Sequence, residues 1–321
     1  MMSRDVGPKM QTAAGKAVQQ ERQWAAEKCD PGNDAQSEAT SVHWVAKPLV
    51  IEPTSGLASL RLRAVWEYRE LLYFLVWRDL KVRYRQTALG ALWVVLQPLL
   101  SMVVFSFLFG GLLKVPSGNV PYPIFSYAAL LPWNYFAGSL TRASTSLVGD
   151  SNLITKVYFP RLVIPLAGVV SGLVDFLIAL IVLAGLMVHY RVAPTLAVLS
   201  VPVFLVLAVL TALGFGLWLS ALCVRYRDVY YLVPFLVQIW MYLTPVIYSS
   251  SLVSQRFPIL LVINPMTVVV EGFRWALLAQ VPVGAQSPSL MLALPVLLGL
   301  AVLAGGMLFF RGTERSFADI I

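Results

Sequence analysis

The sequence predicts an all-α integral membrane protein with six transmembrane helices, and two observations lead to that prediction. The first is composition: 58% of the 321 residues are hydrophobic and only 12% are charged. The mean hydropathy is +0.75, whereas charged residues approach a quarter of a soluble domain. The second is the stretch from Ala88 to Leu113, 26 residues without a charge. As a helix it is about 39 Å long, which is enough to cross a hydrocarbon core of about 30 Å with some tilt.

The chain begins with a polar segment, residues 1–56, that we expect to be a disordered cytosolic tail. It is rich in Ala, Gln, Glu and Ser, and it lacks the apolar core of a secretory signal.

Residues 57–86 predict an amphipathic helix that lies along the membrane surface. Apolar residues such as Leu62, Val65 and Leu72 recur at helical spacing opposite charged ones, a pattern typical of interfacial helices. A surface helix of a soluble domain is the weaker alternative, because no soluble core precedes it. The basic residues expected to face lipid phosphates and the cytosol are Arg69, Arg78, Lys81, Arg83 and Arg85.

The rest of the chain, residues 87–321, predicts a six-span transmembrane domain. After the first stretch, five further apolar stretches alternate with polar segments: 123–140, 162–188, 196–222, 232–248 and 290–310. The polar segment 150–161 has room for a short helix that begins at Ser151 or Asn152 and ends near Pro160.

Basic residues indicate the orientation of these spans. The basic run from Arg78 to Arg85 immediately precedes the first span, and Arg and Lys are retained on the cytoplasmic side of a membrane. With six crossings, both termini are then cytoplasmic. The segments assigned to the outside contain only these cations: Lys114, Arg191, Arg256 and Arg274.

The long external segment, residues 249–289, predicts two short re-entrant helices between the fifth and sixth spans. Its apolar part is interrupted by Asn264-Pro265, and Glu271 with Arg274 would place two charges near mid-bilayer in a full span. Re-entrant backbone is tolerated where protein or an aqueous cavity surrounds it. A helix on the outer surface is the alternative, and Glu271 and Arg274, three residues apart, can simply pair.

Several kinds of chemistry are missing from the sequence. The only Gly-Lys pair, at Gly15, is followed by Ala17, so no phosphate-binding Gly-x-x-x-x-Gly-Lys-Ser/Thr loop occurs. His43 and His189 are isolated, and Cys29 and Cys223 lack metal-ligand spacing, so no cofactor or metal site is expected on this chain. The basic residues that give the net charge of +8 lie beside the spans, where they set the topology. Nucleic acid is therefore not an expected partner.

A carboxylate and several aromatic residues are candidates for a substrate pathway. Asp175 lies near the middle of the third span, where a carboxylate costs at least about 2.5 kcal/mol, so it should face protein or water. Satisfaction within a helix contact is the structural alternative. Aromatic rings suit interface belts as well as the apolar faces of sugars. The pathway candidates are Trp133, Tyr135, Phe136, Asp175, Trp240 and Tyr242.

Five stretches of the sequence resemble the permease subunit of type-2 ATP-binding-cassette exporters for polysaccharides and polyol phosphates. In register and order they cover about residues 67–280. They are Arg78-Asp-Leu-Lys-Val-Arg-Tyr-Arg-Gln-Thr-Ala-Leu-Gly-Ala-Leu-Trp93, Leu131-Pro-Trp-Asn-Tyr-Phe136, Ser151-Asn-Leu-Ile-Thr-Lys-Val-Tyr-Phe-Pro-Arg161, Val224-Arg-Tyr-Arg-Asp228, and Asn264-Pro-Met266 with Glu271-Gly-Phe-Arg274.

The resemblance implies a homodimer in the bacterial inner membrane with two separate ATPase subunits, which bind ATP and Mg. The cargo would be a lipid-linked glycan such as an O-antigen, a capsule or a teichoic-acid-type polymer. It also implies that 57–86 is the interface helix in contact with membrane lipids, and that a coupling helix docks on the ATPase. The residues implied for that docking are Asn152, Leu153, Ile154, Lys156, Val157, Tyr158 and Phe159.

Other functions remain open at this point. The same architecture can export another amphipathic cargo, such as a drug or a lipid. An enzyme of lipid-linked sugars would need catalytic groups outside, where the candidates are Arg256, Glu271 and Arg274. A passive channel would need no ATPase.

Overall fold

The computed structural model describes residues 62–85, 92–118, 120–254, 258–279 and 288–320, and these ranges are helical with no β-strand. This confirms the all-α class. The predicted tail, residues 1–56, lies outside the described residues, as do residues 57–61 and 86 of the predicted amphipathic helix.

The helices follow the order predicted from the sequence. Their bounds are α1 Leu62–Glu67, α2 Arg69–Arg85, α3 Leu92–Phe105, α4 Tyr122–Gly149, α5 Ser151–Lys156, α6 Val163–His189, α7 Val201–Arg225, α8 Val229–Leu243, α9 Ser250–Ser254, α10 Pro258–Ile263, α11 Pro265–Leu278 and α12 Pro288–Ile320. A π-helix, Ser106–Leu112, extends α3, and a 3-10 helix, Leu196–Ser200, precedes α7.

Four helical segments in the described part of the chain are long and apolar enough to cross a membrane: Leu92–Leu112, Val163–His189, Leu196–Arg225 and Leu294–Glu314. The chain is therefore a multi-pass membrane protein. A count of six spans also requires α4 and α8. Helix α4 has 28 residues, about 42 Å in length, and α8 is apolar but has only 15 residues. The six-span count stays a prediction.

Helix α4 lies at the centre of the bundle, in contact with α3, α6, α7, α8 and α11. A hydrophobic cluster surrounds it, in which Phe136 of α4, Leu183 of α6 and Ala212 of α7 are fully buried. Burial on nearly all sides explains why α4 tolerates more polar residues than its neighbours, since it has little contact with the surroundings.

Helices α7 and α12 approach each other closely at two glycines. A Cβ atom on Gly214 would lie 2.9 Å from the Cα and N atoms of Leu303, and one on Gly306 would lie 2.5 Å from the carbonyl oxygen of Gly214. Such contacts are shorter than real Cβ contacts, so both positions require glycine. Small residues at helix crossings are typical of packing inside membranes.

A second hydrophobic cluster joins the amphipathic segment to one end of the bundle, which we call the α5 end. Leu75 of α2, Ile154 of α5, Leu147 of α4 and Phe317 of α12 are buried in it. The opposite face of α1 and α2 is exposed and aromatic, with Trp66, Tyr73, Phe74 and Trp77 uncovered. The segment therefore has two different faces. Its aliphatic face packs on the bundle, and its aromatic face is exposed.

Helix α8 ends earlier than the sequence predicts. The fifth apolar stretch runs to Tyr248, but the helix stops at Leu243, and Thr244 has an extended backbone. After the break, side chains from elsewhere in the chain donate hydrogen bonds to the backbone carbonyl oxygens. These carbonyl groups therefore do not need the hydrogen bonds that a continued helix would provide.

Helices α3 and α8 leave large apolar faces uncovered. On α3 and its π-helical extension, the exposed residues include Val103 and Phe107, which are four positions apart. On α8 they include Phe235 and Ile239. These faces are free to meet lipid or another protein surface.

Candidate functional site

The short helix α5 and the residues after it combine an exposed surface with buried anchors. Ile154 and Phe159 are only 7% and 5% exposed and pack into the cluster at the α5 end. Between them the chain turns outward, and Tyr158 is 72% exposed. Of the seven residues implied for ATPase docking, Asn152, Lys156, Val157 and Tyr158 are exposed, Leu153 is half-buried, and Ile154 and Phe159 are buried anchors. Their docking role stays a prediction.

An ion pair connects this surface to the amphipathic helix. Arg78 of α2 donates a hydrogen bond of 2.8 Å from Nη2 to Oδ2 of Asp150, the residue just before α5. Arg78 also bonds Asp79 at 2.9 Å. The hydrogen bond to Asp150 is the main cause that raises the pKa of Arg78 above its ordinary value, so this side chain remains charged.

The carboxylate of Asp175, near the middle of α6, is held by the end of α2. Arg83 donates a hydrogen bond from Nη1 to Oδ2 at 2.5 Å, and the Tyr84 hydroxyl donates to Oδ1. Burial, together with the hydrogen bond to Asp175, raises the pKa of Tyr84 to about 12. The phenol therefore stays protonated and remains a donor at neutral pH.

A second guanidinium, from Arg142 of α4, lies near the same carboxylate oxygen of Asp175. Its Nη1 atom is 3.8 Å from Oδ2 of the carboxylate. Arg142 is fixed by hydrogen bonds from Nε to the Gly168 carbonyl, 3.0 Å, and from Nη2 to the Ser139 hydroxyl, 3.2 Å. Gly172 leaves the space that this guanidinium occupies, because a Cβ there would collide with it.

Among the described basic side chains of the amphipathic helix, Arg69, Lys81 and Arg85 have no part in these two ion pairs. The guanidinium of Arg69 lies 5.8 Å from the centre of the Trp66 ring, a cation–π contact on the exposed face. Lys81 and Arg85 are exposed. Their predicted contacts with phosphates stay a prediction.

The aromatic candidates for a substrate pathway divide by burial. Trp133, Tyr135 and Phe136 lie inside the subunit, and Phe136 packs edge-on against Trp240 with ring centres 5.0 Å apart. Tyr242 is exposed on α8. A row of aromatic residues in the sequence fits a buried protein core as well as a substrate passage. The pathway role of these residues therefore stays a prediction.

Asn264 organises the segment between α8 and α11. Its Oδ1 atom caps α11 by accepting from the Met266 amide at 3.0 Å, and it accepts from the Trp240 indole at 3.0 Å. Its Nδ2 atom donates to the Thr244 hydroxyl at 2.8 Å. Pro265 follows as the first residue of α11, a position that suits proline because its missing N–H needs no partner there. The two helices predicted here are present as α10 and α11, and their re-entrant position stays a prediction.

Arg274 of α11 binds the backbone beyond the end of α8. Only 1% of this residue is exposed. It donates to the carbonyls of Pro245 at 2.6 Å, Val246 at 2.7 Å and Tyr248 at 3.3 Å. Its ion pair with Glu271, at 3.2 Å, confirms the pairing that the three-residue spacing indicates. The Phe125 ring lies against the guanidinium, with the centre 3.7 Å from Cζ. Arg274 therefore stabilises the broken end of α8.

Sequence reasoning does not identify three of the groups around Asp175, namely Arg83, Tyr84 and Arg142. The available signal was general, namely that a carboxylate in an apolar helix needs a cation. The sequence contains several basic residues and does not say which of them reaches Asp175.

Comparison with known proteins places these features in a family. The sequence model of the family described as ABC-2 type transporter matches residues 70–278. The chain is 34% identical over 215 residues to the O-antigen export system permease protein RfbA of Myxococcus xanthus, which covers 66% of this chain and 82% of that protein. It is 31% identical over 206 residues to a protein of the same name from Klebsiella pneumoniae, which covers 64% of this chain and 79% of that protein.

Proposed function

This chain belongs to the ABC-2 type transporter family, and on that premise we propose that it is the permease subunit of an ATP-driven exporter of lipid-linked polysaccharide. The observation that supports the cargo is the similarity to O-antigen export permeases over about four fifths of their length. The direction is outward across the bacterial inner membrane, with both termini in the cytoplasm.

Two copies of a separate ATPase subunit supply the energy. They bind ATP and Mg, for which this sequence has no Gly-x-x-x-x-Gly-Lys-Ser/Thr loop. The surface that suits them is the exposed side of α5 with Val157 and Tyr158, since Ile154 and Phe159 anchor it from within. An exposed tyrosine on a rigid support is typical of a protein–protein contact.

The permease acts as a homodimer with the glycan passing along the subunit interface. Helices α3 and α8 support this arrangement because their apolar faces are uncovered in the single chain. Among homo-oligomers, closed two-fold symmetry is the commonest arrangement. A wide hydrophilic passage is then formed between two subunits and not within one bundle.

Movement reaches the spans through α2. Nucleotide-driven closure of the ATPases displaces α5, the Arg78–Asp150 ion pair transfers that displacement to α2, and Arg83 and Tyr84 transfer it to α6 through Asp175. The two ends of this connection lie on one helix of 17 residues, so it moves as a rigid body between two states.

The test is deletion of the gene followed by complementation in the host bacterium. We expect loss of polysaccharide from the cell surface with accumulation of the lipid-linked polymer inside, and restoration by the wild-type chain. Unchanged surface polysaccharide would refute the cargo. Loss of drug resistance or of an outer lipid, with normal polysaccharide, would identify the alternative of a different amphipathic cargo. Polymer that fails to form at all would indicate an enzyme.

A further inference from the structure

A cavity lies between α3, α4 and α6, and its mostly apolar wall carries a few polar side chains. Its volume is about 250 Å³. Four polar side chains and two aromatic ones are among the residues that line it: Gln97, Asn134, Arg142, Asp175, Tyr135 and Phe176. Asn134 is twelve residues from the start of α4, and Asp175 is twelve residues from the start of α6, or about 18 Å along each helix.

Two of these side chains have amides that are unpaired within the described part of the chain. Gln97 and Asn134 are both exposed, and their amides have no hydrogen-bond partner among the residues that the structure describes. Polar side chains inside a membrane protein face protein or a water-filled path. These two amides are therefore available to a ligand in the cavity.

The other two polar groups are held in fixed positions. Arg142 is bound by Gly168 and Ser139, and it rests where Gly172 has no side chain. Asp175 is oriented by Arg83 and Tyr84. The cavity thus has a rigid guanidinium and a rigid carboxylate beside two free amides, which is the preorganisation expected of a binding site.

The mixture of donors and acceptors indicates the class of ligand. The amides both donate and accept, the carboxylate only accepts and the guanidinium only donates. Hydroxyl groups match all four, because each hydroxyl both donates and accepts. A phosphate only accepts, and it would be repelled by the Asp175 carboxylate, which is 3.8 Å from Nη1 of Arg142. The rings of Tyr135 and Phe176, with centres 5.8 Å apart, provide an apolar wall of the kind that sugar rings contact.

We propose that this cavity binds one sugar unit of the exported glycan through its hydroxyl groups. The proposal rests on the proposed function for the identity of the cargo, and it adds a site within the permease that recognises sugar and not only lipid or phosphate. Gln97, Asn134, Arg142 and Asp175 contact the sugar, and Arg83 and Tyr84 position Asp175.

The experiment uses the full chain in lipid nanodiscs and two probes, a polyprenyl diphosphate that carries one N-acetylglucosamine and the same lipid without sugar. Affinity for each probe is measured in wild type and in Gln97→Leu, Asn134→Leu and the double variant. We expect wild type to prefer the sugar-bearing lipid by at least about fivefold, the effect of about one hydrogen bond. The double variant should lose this preference while its affinity for the sugar-free lipid is unchanged.

Ser101→Ala is the matched control, since Ser101 is a polar residue of α3 that does not line the cavity. It should keep the preference. Equal affinity of wild type for both probes would overturn the proposal, as would displacement of both by inorganic pyrophosphate, which would reveal an anion site. A change of oligomeric state in the leucine variants with the sugar preference intact would show that the amides contact a second copy instead. Because gene deletion tests the cargo separately, failure of the sugar preference with deletion-dependent export would refute only this site.

Discussion

At the scale of single residues, one ion pair connects the proposed docking surface to the rest of the molecule. Asp150 occupies the position before α5 at which an aspartate commonly caps a helix, yet its side chain makes no cap hydrogen bond. It accepts from Arg78 instead, at 2.8 Å. The local preference of Asp150 is overridden by a contact 72 residues away in sequence, which is consistent with a role in transmitting movement.

We predict that Arg78→Asp and Asp150→Arg each reduce glycan export per ATP hydrolysed, and that the two together restore it in part. The pair is partly exposed, so its coupling free energy should be small, roughly 0.5–1 kcal/mol. The effect on stability is therefore minor and the effect on coupling is the informative one. Export and ATP hydrolysis by the reconstituted complex provide the measurement, and additive losses in the double variant would contradict the connection.

Arg274 illustrates a different use of a buried cation. It is bound mainly to backbone carbonyls beyond the end of α8. The Tyr122 hydroxyl completes the arrangement by donating to the Ile247 carbonyl at 2.5 Å.

We predict that Arg274→Met lowers the thermal stability of the purified chain strongly, because each carbonyl left buried without a donor costs roughly 1–3 kcal/mol. Arg274→Lys should recover little, since one ammonium group cannot reach Pro245, Val246 and Phe125 together. Arg227→Met, at an exposed arginine, is the control and should be close to neutral. A melting temperature of Arg274→Met equal to that of the control would show that the guanidinium is dispensable.

At the scale of elements, α5 combines a buried side and an exposed side within a few residues. The two properties allow coupling to be separated from folding.

We predict that Tyr158→Ala leaves membrane insertion and stability intact but uncouples ATP hydrolysis from export, because this ring is exposed. Phe159→Ala should instead destabilise the α5 end by about 3–5 kcal/mol, since its ring is buried. Denaturation curves distinguish the two variants, and export assays show the uncoupling. Normal export by Tyr158→Ala would refute the assignment of this surface.

The crossing of α7 and α12 offers a second test of an element. We predict that Gly214→Ala is destabilising because its Cβ would press on the Leu303 backbone, whereas Gly185→Ala, which meets nothing within 4 Å, is neutral or stabilising by up to about 1 kcal/mol. The two variants add the same methyl group to membrane helices of similar length. Equal melting temperatures for the two would contradict the close crossing.

The order of helices could be predicted from hydropathy, because long apolar stretches and the charges beside them are local features of the sequence. The short helix after Asp150 is predicted from capping and proline signals, and it begins at Ser151 as expected but ends at Lys156 instead of near Pro160. The end of α8 was not predictable, because it depends on Arg274, more than 25 residues away in sequence. The partners of Asp175 were not predictable either, since nothing near Asp175 in the sequence distinguishes Arg83 from other cations. Local patterns determine elements, and distant pairings determine the site.

At the scale of the whole molecule, the proposed function describes one half of a transporter whose energy source is a different protein. The chain provides the spans, a rigid contact surface at the α5 end and a helix that connects that surface to the middle of α6. Under the proposed function, these features together convert movement outside the membrane into movement within it.

The most direct measurement places a photocrosslinking amino acid at Lys156, an exposed residue of α5, in intact cells that carry the complete exporter. We predict a covalent adduct with a subunit that contains a nucleotide-binding Gly-x-x-x-x-Gly-Lys-Ser/Thr loop, formed on the cytoplasmic side and changed in yield by ATP depletion. Labelling of the same position only by reagents that cannot cross the inner membrane, with no ATPase adduct, would contradict the account.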